Sequence, residues 1–249
     1  DRKWTGDKAV LIDPATRTSV GDALLGRRGE GGREWMRPEE FARNGKPELV
    51  HRDAAGREGS SGFDPSDVCQ GSLGDCWFLS AMAVVAAHPS LMKKVFVTSE
   101  TSKEGFYIVR IFKHGEWHNV VVDDKLLVLN QSGYQKQPVC VKSKNGHELW
   151  MSILEKAYSK FHGSYEAING GQVHVGLADL TGGIADSISL EKKRAEIASG
   201  QLFHEVKKYH DSGYLMGAGS PAGQDTDVSE MGIVQGHAYS VLRVVEVDG

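Results

Sequence analysis

The amino-acid sequence predicts an α+β fold, on three observations. Segments with helical spacing of apolar residues and segments rich in β-forming residues both occur, without the regular βαβ order of a doubly wound sheet. A cysteine stands where a glycine-punctuated turn gives way to an apolar helix. The 249 residues, 40% of them apolar and 25% charged, suffice to bury one large core or two smaller ones.

The N-terminal part contains few regular elements. Residues 1–67 are rich in Gly, Arg and Asp, and residues 26–33 form a predicted solvated loop. One short helix is predicted over residues 38–43, because Pro38 suits a first helical position. The next helix begins at Cys76, where apolar residues recur every three or four positions, and it ends before Pro89.

The middle of the chain contains a hairpin and the clearest helix. Residues 106–112 and 117–122 are rich in β-forming residues and flank a short polar turn, which indicates an antiparallel hairpin. Apolar residues then fall on one face over residues 148–161, which predicts a helix that stops near Gly163.

The composition changes after a pair of glycine-rich segments, and we expect a domain boundary between Gly182 and Gly183. Beyond it a helix is predicted over residues 199–209 and a strand over 214–216, followed by a polar loop over 219–232. The last strand is predicted over 237–247.

The sequence ends in Asp248-Gly249, a strong hairpin-turn dipeptide. The strand that should pair after this turn does not follow. We therefore expect the sequence to stop inside a second domain.

The bulk properties exclude several function classes. A net charge of −4 gives no reason to expect nucleic acid as a partner, and no apolar run is long enough to span a membrane. The N-terminus has no hydrophobic signal segment. The three cysteines, Cys69, Cys76 and Cys140, lack zinc-type spacing and predict free thiols in a reducing compartment.

Cys76 has the surroundings of a nucleophile. A helix N-terminus lowers a thiol pKa, and glycines at 71 and 74 let the preceding backbone approach a substrate closely. Gln70 can direct its amide at a developing oxyanion, with the backbone N–H of Cys76 as a second donor. A lone buried cysteine would be a small core residue instead. The combination of features favours the nucleophile, and hence a cysteine protease.

Residue chemistry offers several candidates for the general base. Ten histidines compete for this role. His237 differs from the others because a glycine precedes it and a predicted strand follows. It also lies far from Cys76 in sequence, as expected when two elements supply one site.

Three other motifs are weaker. Residues 217–222 fit a loose dinucleotide-binding pattern, but Pro221 does not open an amphipathic helix, so a loop is predicted there. His147 and Glu148 begin a zinc-protease motif, but Met151 stands where the second histidine is required. Asp123 and Asp124 are two adjacent carboxylates of a kind that binds metal, but the favoured interpretation is a charged strand end.

The segment QGSLGDCWFL at residues 70–79 resembles the active-site signature of the calpains, calcium-dependent cytosolic cysteine proteases. Further segments resemble calpain core segments in the same order: residues 115–117, 120–124, 148–150, 154–158, 163–167, 181–185 and 236–241. The resemblance covers about residues 60–247.

This resemblance implies a papain-like cysteine protease fold with an active-site cleft between two subdomains. The first would cover residues 1–182, of which residues 1–55 are an extension without a clear match, and the second would begin at residue 183 and run to 249. Cys76 would be the nucleophile, His237 the general base and Gln70 the oxyanion donor. Gly171 and Gly236 match positions that hydrogen-bond the substrate backbone.

The resemblance also implies a calcium ion as cofactor. Asp67 and Glu148 match side-chain ligands, and Ser60 and Gly62 match backbone ligands, a set of hard oxygens that suits Ca²⁺. Pro65 departs from the family, which has an arginine there that bridges the two subdomains. The third catalytic residue of the family, an asparagine, would lie beyond Gly249.

The implied function is calcium-dependent limited proteolysis of polypeptide substrates in the cytoplasm, with flanking regulatory domains or a larger assembly as partners. The alternative is a calpain-like structural or scaffold module without activity. Retention of both Cys76 and His237 favours the protease.

Overall fold

The computed structural model describes residues 32–42, 45–50, 62–130, 135–224 and 226–247. The candidate ligand Ser60, the turn at 248–249 and residues 26–31 of the loop predicted over 26–33 lie outside these ranges. Residues 32 and 33 belong to the first strand, because they pair with residues 129 and 130, so the loop prediction is wrong there. The strands are β1 (Gly32–Met36), β2 (Val68–Cys69), β3 (Phe106–Lys113), β4 (Glu116–Asp123), β5 (Leu126–Asn130), β6 (Gln137–Pro138), β7 (Lys142–Ser143), β8 (Met216–Gly219) and β9 (Ala238–Val241). The helices are α1 (Pro38–Phe41), α2 (Cys76–Ala86), α3 (Pro89–Val95), α4 (Trp150–His162), α5 (Val173–Thr181), α6 (Arg194–Ala198) and α7 (Gln201–Asp211). This mixture of elements confirms the predicted combination of helices and strands.

The strands form small antiparallel sheets rather than one large sheet. Strand β5 pairs with β1 and β6, β2 with β7, β3 with β4, and β8 with β9. The β3–β4 hairpin confirms the predicted one, and its turn places His114 and Gly115 at φ 52° and 85°. Positive φ at both central residues matches the right-handed twist of the flanking strands.

The core is built around α2 and α4. Every residue of α2 after Cys76 is buried, so this helix is apolar on all faces and lies inside the protein. On α4, Tyr158 stacks on Phe78 with ring centroids 3.9 Å apart. This stacking of two aromatic rings fixes the two central helices relative to each other.

Glycines end two of these helices. Helix α4 stops at Gly163, with φ 106°, as predicted, although it begins at Trp150 rather than at residue 148. Helix α5 ends at Gly182, which adopts the left-handed conformation with φ 74°. Residues 183–189 then follow without regular structure and are mostly exposed. The domain boundary predicted between residues 182 and 183 coincides with this segment and stays a prediction.

The C-terminal elements differ in extent from the predicted ones. Strand β8 covers 216–219 rather than 214–216, so the loop predicted at residues 217–219 is wrong. The small residues of β8 pair with β9, and Gly217 fits against Val173, whose Cγ1 would lie 2.3 Å from an added Cβ. The last strand ends at Val241, because only residues 238–241 have a pairing partner in β8.

A buried ion pair links three elements of the core. The carboxylate of Asp179 on α5, 5% exposed, accepts hydrogen bonds from Lys113 Nζ at 2.8 and 3.0 Å and from the Tyr158 hydroxyl at 2.8 Å. We expect Asp179→Ala to lower the free energy of unfolding by about 3 kcal/mol, since it leaves a cation and a hydroxyl without their acceptor. Chemical denaturation measures this loss. Asp186→Ala, at an exposed position, serves as the control and should change stability by less than about 0.5 kcal/mol.

None of the helices in the described parts of the chain has the length and apolar character needed to cross a membrane.

Candidate active site

Cys76 is the first residue of α2 and is half-buried. The carbonyl of the preceding Asp75 accepts the N–H groups of Phe78 at 2.8 Å and Leu79 at 3.1 Å, which starts the helix. Backbone N–H groups in the first turn of a helix have no intrahelical acceptor, and their dipoles favour negative charge. The sulfur of Cys76 therefore stands where a thiolate is stabilised.

Another cysteine nearby shows the contrast. Cys140 is fully buried, and burial, with the neighbouring acids Glu155 and Asp75, raises its pKa well above the ordinary value. A thiol in that environment stays protonated and unreactive. Of these two cysteines, only Cys76 is both reachable and next to a helix N-terminus.

The turn before Cys76 is held against a neighbouring segment. The N–H of Ser72 donates to the carbonyl of Val139 at 2.8 Å. A Cβ added at Gly71 would lie 2.2 Å from the carbonyl oxygens of both Val139 and Cys140, closer than real Cβ contacts come. Glycine is required at position 71 because two backbones meet there.

Gln70 lies on this turn, but its amide is engaged within it. Its Nε2 donates to the carbonyl of Leu73 at 2.8 Å. This bond fixes the side chain on the nucleophile turn and uses one of the two N–H groups that a glutamine amide has. Its predicted role as oxyanion donor requires the second N–H and stays a prediction.

Gly171 lies against the residue that follows Cys76. An added Cβ at Gly171 would lie 2.3 Å from the ring of Trp77, whose indole N–H donates to the carbonyl of Ile168 at 3.0 Å. The same segment binds the nucleophile turn, because Gly74 donates to Asn169 Oδ1 at 3.0 Å and accepts from the N–H of Gly170 at 2.8 Å. Gly171 is thus fixed next to the start of α2.

His237 immediately precedes β9, and its role as general base stays a prediction. Its N–H donates to Ser220 Oγ at 2.9 Å and its carbonyl accepts the N–H of Ser220 at 2.9 Å. Its ring lies edge-on to that of Tyr239, with centroids 5.2 Å apart. Gly236 adopts φ 63°, and an added Cβ there would lie 2.2 Å from the carbonyl oxygen of Gly223. Strong local bonding therefore fixes the backbone around His237.

Two serines join the helix of Cys76 to the strand that follows His237. Ser240 Oγ donates to the carbonyl of Ser80 at 3.0 Å, and the two hydroxyl oxygens lie 3.3 Å apart. Ser80 is one helical turn beyond Cys76, and Ser240 is three residues beyond His237. The helix that begins at the predicted nucleophile therefore packs directly against the strand that follows the predicted base.

The candidate calcium ligands lie on two adjacent segments. The carbonyl of Asp67 accepts the N–H of Lys144 at 3.0 Å, next to the β2–β7 pairing. Glu148 is buried and accepts from the amide of Asn145 at 2.5 Å. Gly62 is described, and Ser60 is not. The side chains of Asp67 and Glu148 carry the hard oxygen atoms that Ca²⁺ takes as ligands, and their role as ligands stays a prediction. In the described parts of the chain, no group of three or more His, Cys, Asp or Glu side chains is arranged to hold a metal.

The sequence reasoning missed a pair of buried acids behind Cys76. Asp75 and Glu155 are 0% and 1% exposed. Glu155 falls outside the apolar face predicted for its helix, so its burial had no sequence signal. Asp75 precedes the helix that begins at Cys76, where aspartate is a common capping residue, so its burial had no sequence signal either.

Comparisons with known proteins show the family of this chain. The sequence profile described as "Calpain family cysteine protease" matches residues 13–249. The chain is 48% identical to the calpain-type cysteine protease DEK1 of Arabidopsis thaliana over 222 residues, which are 87% of this chain and 10% of that protein. It is 46% identical to the calpain-type cysteine protease ADL1 of Oryza sativa over 98% of this chain and 10% of the relative. Identity to the calpain-2 catalytic subunit of Bos taurus is 34%, over 94% of this chain and 32% of that subunit. The chain thus spans about a tenth of the length of its plant relatives.

Proposed function

The chain belongs to the calpain family of cysteine proteases, and from this premise we propose that it is the catalytic part of a calcium-dependent endopeptidase acting on polypeptides. The observation that carries the proposal is the position of Cys76 at the N-terminus of α2, with the strand after His237 bonded to the same helix through Ser80 and Ser240. This arrangement provides a stabilised thiolate and a histidine on a neighbouring element.

The proposed mechanism uses three side chains. His237 takes the proton of Cys76, and the thiolate attacks the scissile carbonyl to form a tetrahedral intermediate. The second amide N–H of Gln70 and the backbone N–H of Cys76 stabilise its oxyanion. The intermediate collapses to a thioester as His237 gives its proton to the leaving amine. Water, deprotonated by His237, then hydrolyses the thioester and regenerates the thiol.

Substrate binding is proposed to occur through the main chain. Gly171 and Gly236 are exposed, and each stands where a side chain would collide with a neighbour. A glycine leaves its backbone accessible to an extended peptide. We place the papain-like cleft between the two subdomains predicted to meet near residue 183, with the two glycines on either side of it.

The proposed calcium ion would be held by the carboxylates of Asp67 and Glu148 and by the carbonyls of Ser60 and Gly62. Asp67 directly precedes β2, which leads into the turn at residues 70–75. The carbonyl of Asp67 is also bonded to Lys144, four residues before Glu148. Bound calcium would supply charge that orders this turn. Pro65 replaces the bridging arginine of the family, so the coupling to the second subdomain would use other contacts.

We expect Asp67→Asn to raise the calcium concentration for half-maximal cleavage about tenfold or more, because one negative ligand is lost while the local shape is kept. Calcium titrations of cleavage rate measure this shift in the complete natural protein. Asp186→Asn should leave the titration unchanged. A calcium requirement unaltered by Asp67→Asn would remove Asp67 from the ligand set.

The partners proposed are polypeptide substrates and flanking domains, since the plant relatives are about ten times longer than this chain. A cytoplasmic location is proposed from the three free cysteines. Nucleic acid is not proposed as a partner, given the net charge of −4.

Active-site labelling tests the proposed function directly. A peptidyl epoxide should modify Cys76 in the complete natural protein with calcium present, and should modify it far more slowly with calcium chelated. Cys69, also half-buried, is the internal control and should react slowly in both states. Absence of Cys76 labelling with calcium would favour the scaffold alternative.

A further inference from the structure

A pair of buried acids lies directly behind Cys76. Asp75 precedes the nucleophile and is 0% exposed, and Glu155, in the middle of α4, is 1% exposed. The two carboxyl groups are neighbours in the interior, since the charge of Asp75 raises the pKa of Glu155. The proposed mechanism does not use either acid, and buried carboxyls without a role are rare.

The hydrogen-bond donors available to this pair are too few for two carboxylates. Glu155 accepts the N–H of Val141, with distances of 3.1 and 3.3 Å to its two oxygens. With both acids ionised, neither oxygen of Asp75 has a donor among the described residues. A proton on either acid would supply that donor. Because a buried carboxylate without donors is strongly destabilised, the pair requires at least one proton.

Among the described residues, the titratable groups that face the pair carry no positive charge. The titratable groups that face it are Cys140, on the segment after β6, and Tyr165, just after α4. Burial raises the pKa of Asp75 to about 7. Burial, and then the charge of Asp75, raises the pKa of Glu155 well above its ordinary value. Around neutral pH the pair therefore keeps a proton.

The pair also connects the two ends of the nucleophile turn to α4. Asp75 ends the turn, and its carbonyl accepts the first hydrogen bonds of α2. Through Val141, Glu155 holds the segment whose Val139 carbonyl accepts the N–H of Ser72 at 2.8 Å. A bond between the two acids would close this loop of contacts around residues 71–76.

We propose that Asp75 and Glu155 are positioning residues that share a proton, and that their hydrogen bond holds the turn carrying Cys76 against α4. The effect of this hydrogen bond on catalysis rests on the proposed role of Cys76 as the nucleophile. The attachment of the turn to α4 does not depend on that role, so the two can be tested separately.

The proposal has a definite pH dependence. The pKa of Asp75 is higher in the folded protein, about 7, than its ordinary value of 3.8. The stabilisation of the turn is therefore complete below about pH 4 and decreases as the pH rises towards 7, and Glu155 extends the decrease to higher pH. Local opening of residues 71–79 should become more frequent over this range.

Hydrogen exchange of residues 71–79, corrected for the intrinsic pH dependence of exchange, measures the opening of the turn. In the unmodified protein we expect the opening constant to rise by up to about tenfold per pH unit, for each proton released, between pH 5 and 7. Asp75→Asn should reduce this slope, and the double variant Asp75→Asn with Glu155→Gln should abolish it. Asp186→Asn is the matched control and should behave like the unmodified protein.

Cleavage assays supply the second test. Asparagine keeps a donor for Glu155 and alanine does not, so Asp75→Asn should retain at least tenfold more kcat than Asp75→Ala, with KM similar in both. If kcat fell equally in the two variants, the site would need the charge of Asp75 and not a shared proton. That result would overturn the proposal. An opening constant independent of pH in the unmodified protein overturns it as well, and that measurement requires no variant to fold.

Discussion

Replacing Cys76 with serine should reduce peptide cleavage by at least about a thousandfold in the complete natural protein, while the fold is retained. A serine hydroxyl is far harder to ionise than a thiol, so neither the helix N-terminus nor His237 can provide enough nucleophile. Losing a nucleophile removes nearly all the rate that the catalytic group supplies, and binding and oxyanion contacts leave only a small residual rate.

The change is nearly isosteric at a half-buried position, so we expect the thermal unfolding temperature to stay within a few degrees of that of the unmodified protein. Cys69→Ser is the matched control, because Cys69 is half-buried too and lies outside the proposed chemistry. It should retain most of the activity. A Cys76→Ser protein that cleaves at the normal rate would exclude Cys76 as the nucleophile.

Replacing Gly71 with alanine should have the next largest effect, and by a purely steric route. The new methyl group would lie 2.2 Å from two backbone carbonyl oxygens, and neither Val139 nor Cys140 can turn a backbone away as a side chain would turn. The turn must shift instead, which breaks the Ser72–Val139 hydrogen bond and moves Gln70 and Cys76. We expect cleavage to fall about a hundredfold and the free energy of unfolding to fall by about 2–3 kcal/mol.

Steady-state kinetics and chemical denaturation measure the two losses. Gly219→Ala is the matched control, because no atom lies within 4 Å of an added Cβ there and Gly219 does not have a positive φ. It should change both quantities little. If Gly71→Ala left kcat intact, the close approach of the turn to residues 139–140 would not matter for the geometry of the site.

The sequence predicted the elements whose signals are local. The hairpin around Gly115, the start of α2 at Cys76 and the end of α4 at Gly163 all follow from residue spacing and glycine positions, and the structure confirms them. Residue chemistry indicated Cys76, Gln70 and His237, and the family resemblance added the substrate-binding glycines and the calcium ligands. The contacts of Ser80 with Ser240 join the helix that begins at Cys76 to the strand that follows His237.

The features that escaped prediction are set by contacts distant in sequence. Strand β1 exists because it pairs with β5, about 95 residues later, and no local pattern indicates this. Strand β8 forms from Gly217 and its small neighbours because β9 pairs with it. The burial of Asp75 depends on Glu155, 80 positions away, so single-residue propensities give no warning of the acid pair.

The complete burial of α2 restricts which substitutions this protein could accept. Each of the ten residues after Cys76 faces other core residues, so a substitution anywhere along the helix alters the packing of the whole interior. New substrate preferences would therefore have to arise in the exposed segments that surround the tip of the helix. The helix that holds the proposed reactive atom therefore leaves little room for such changes.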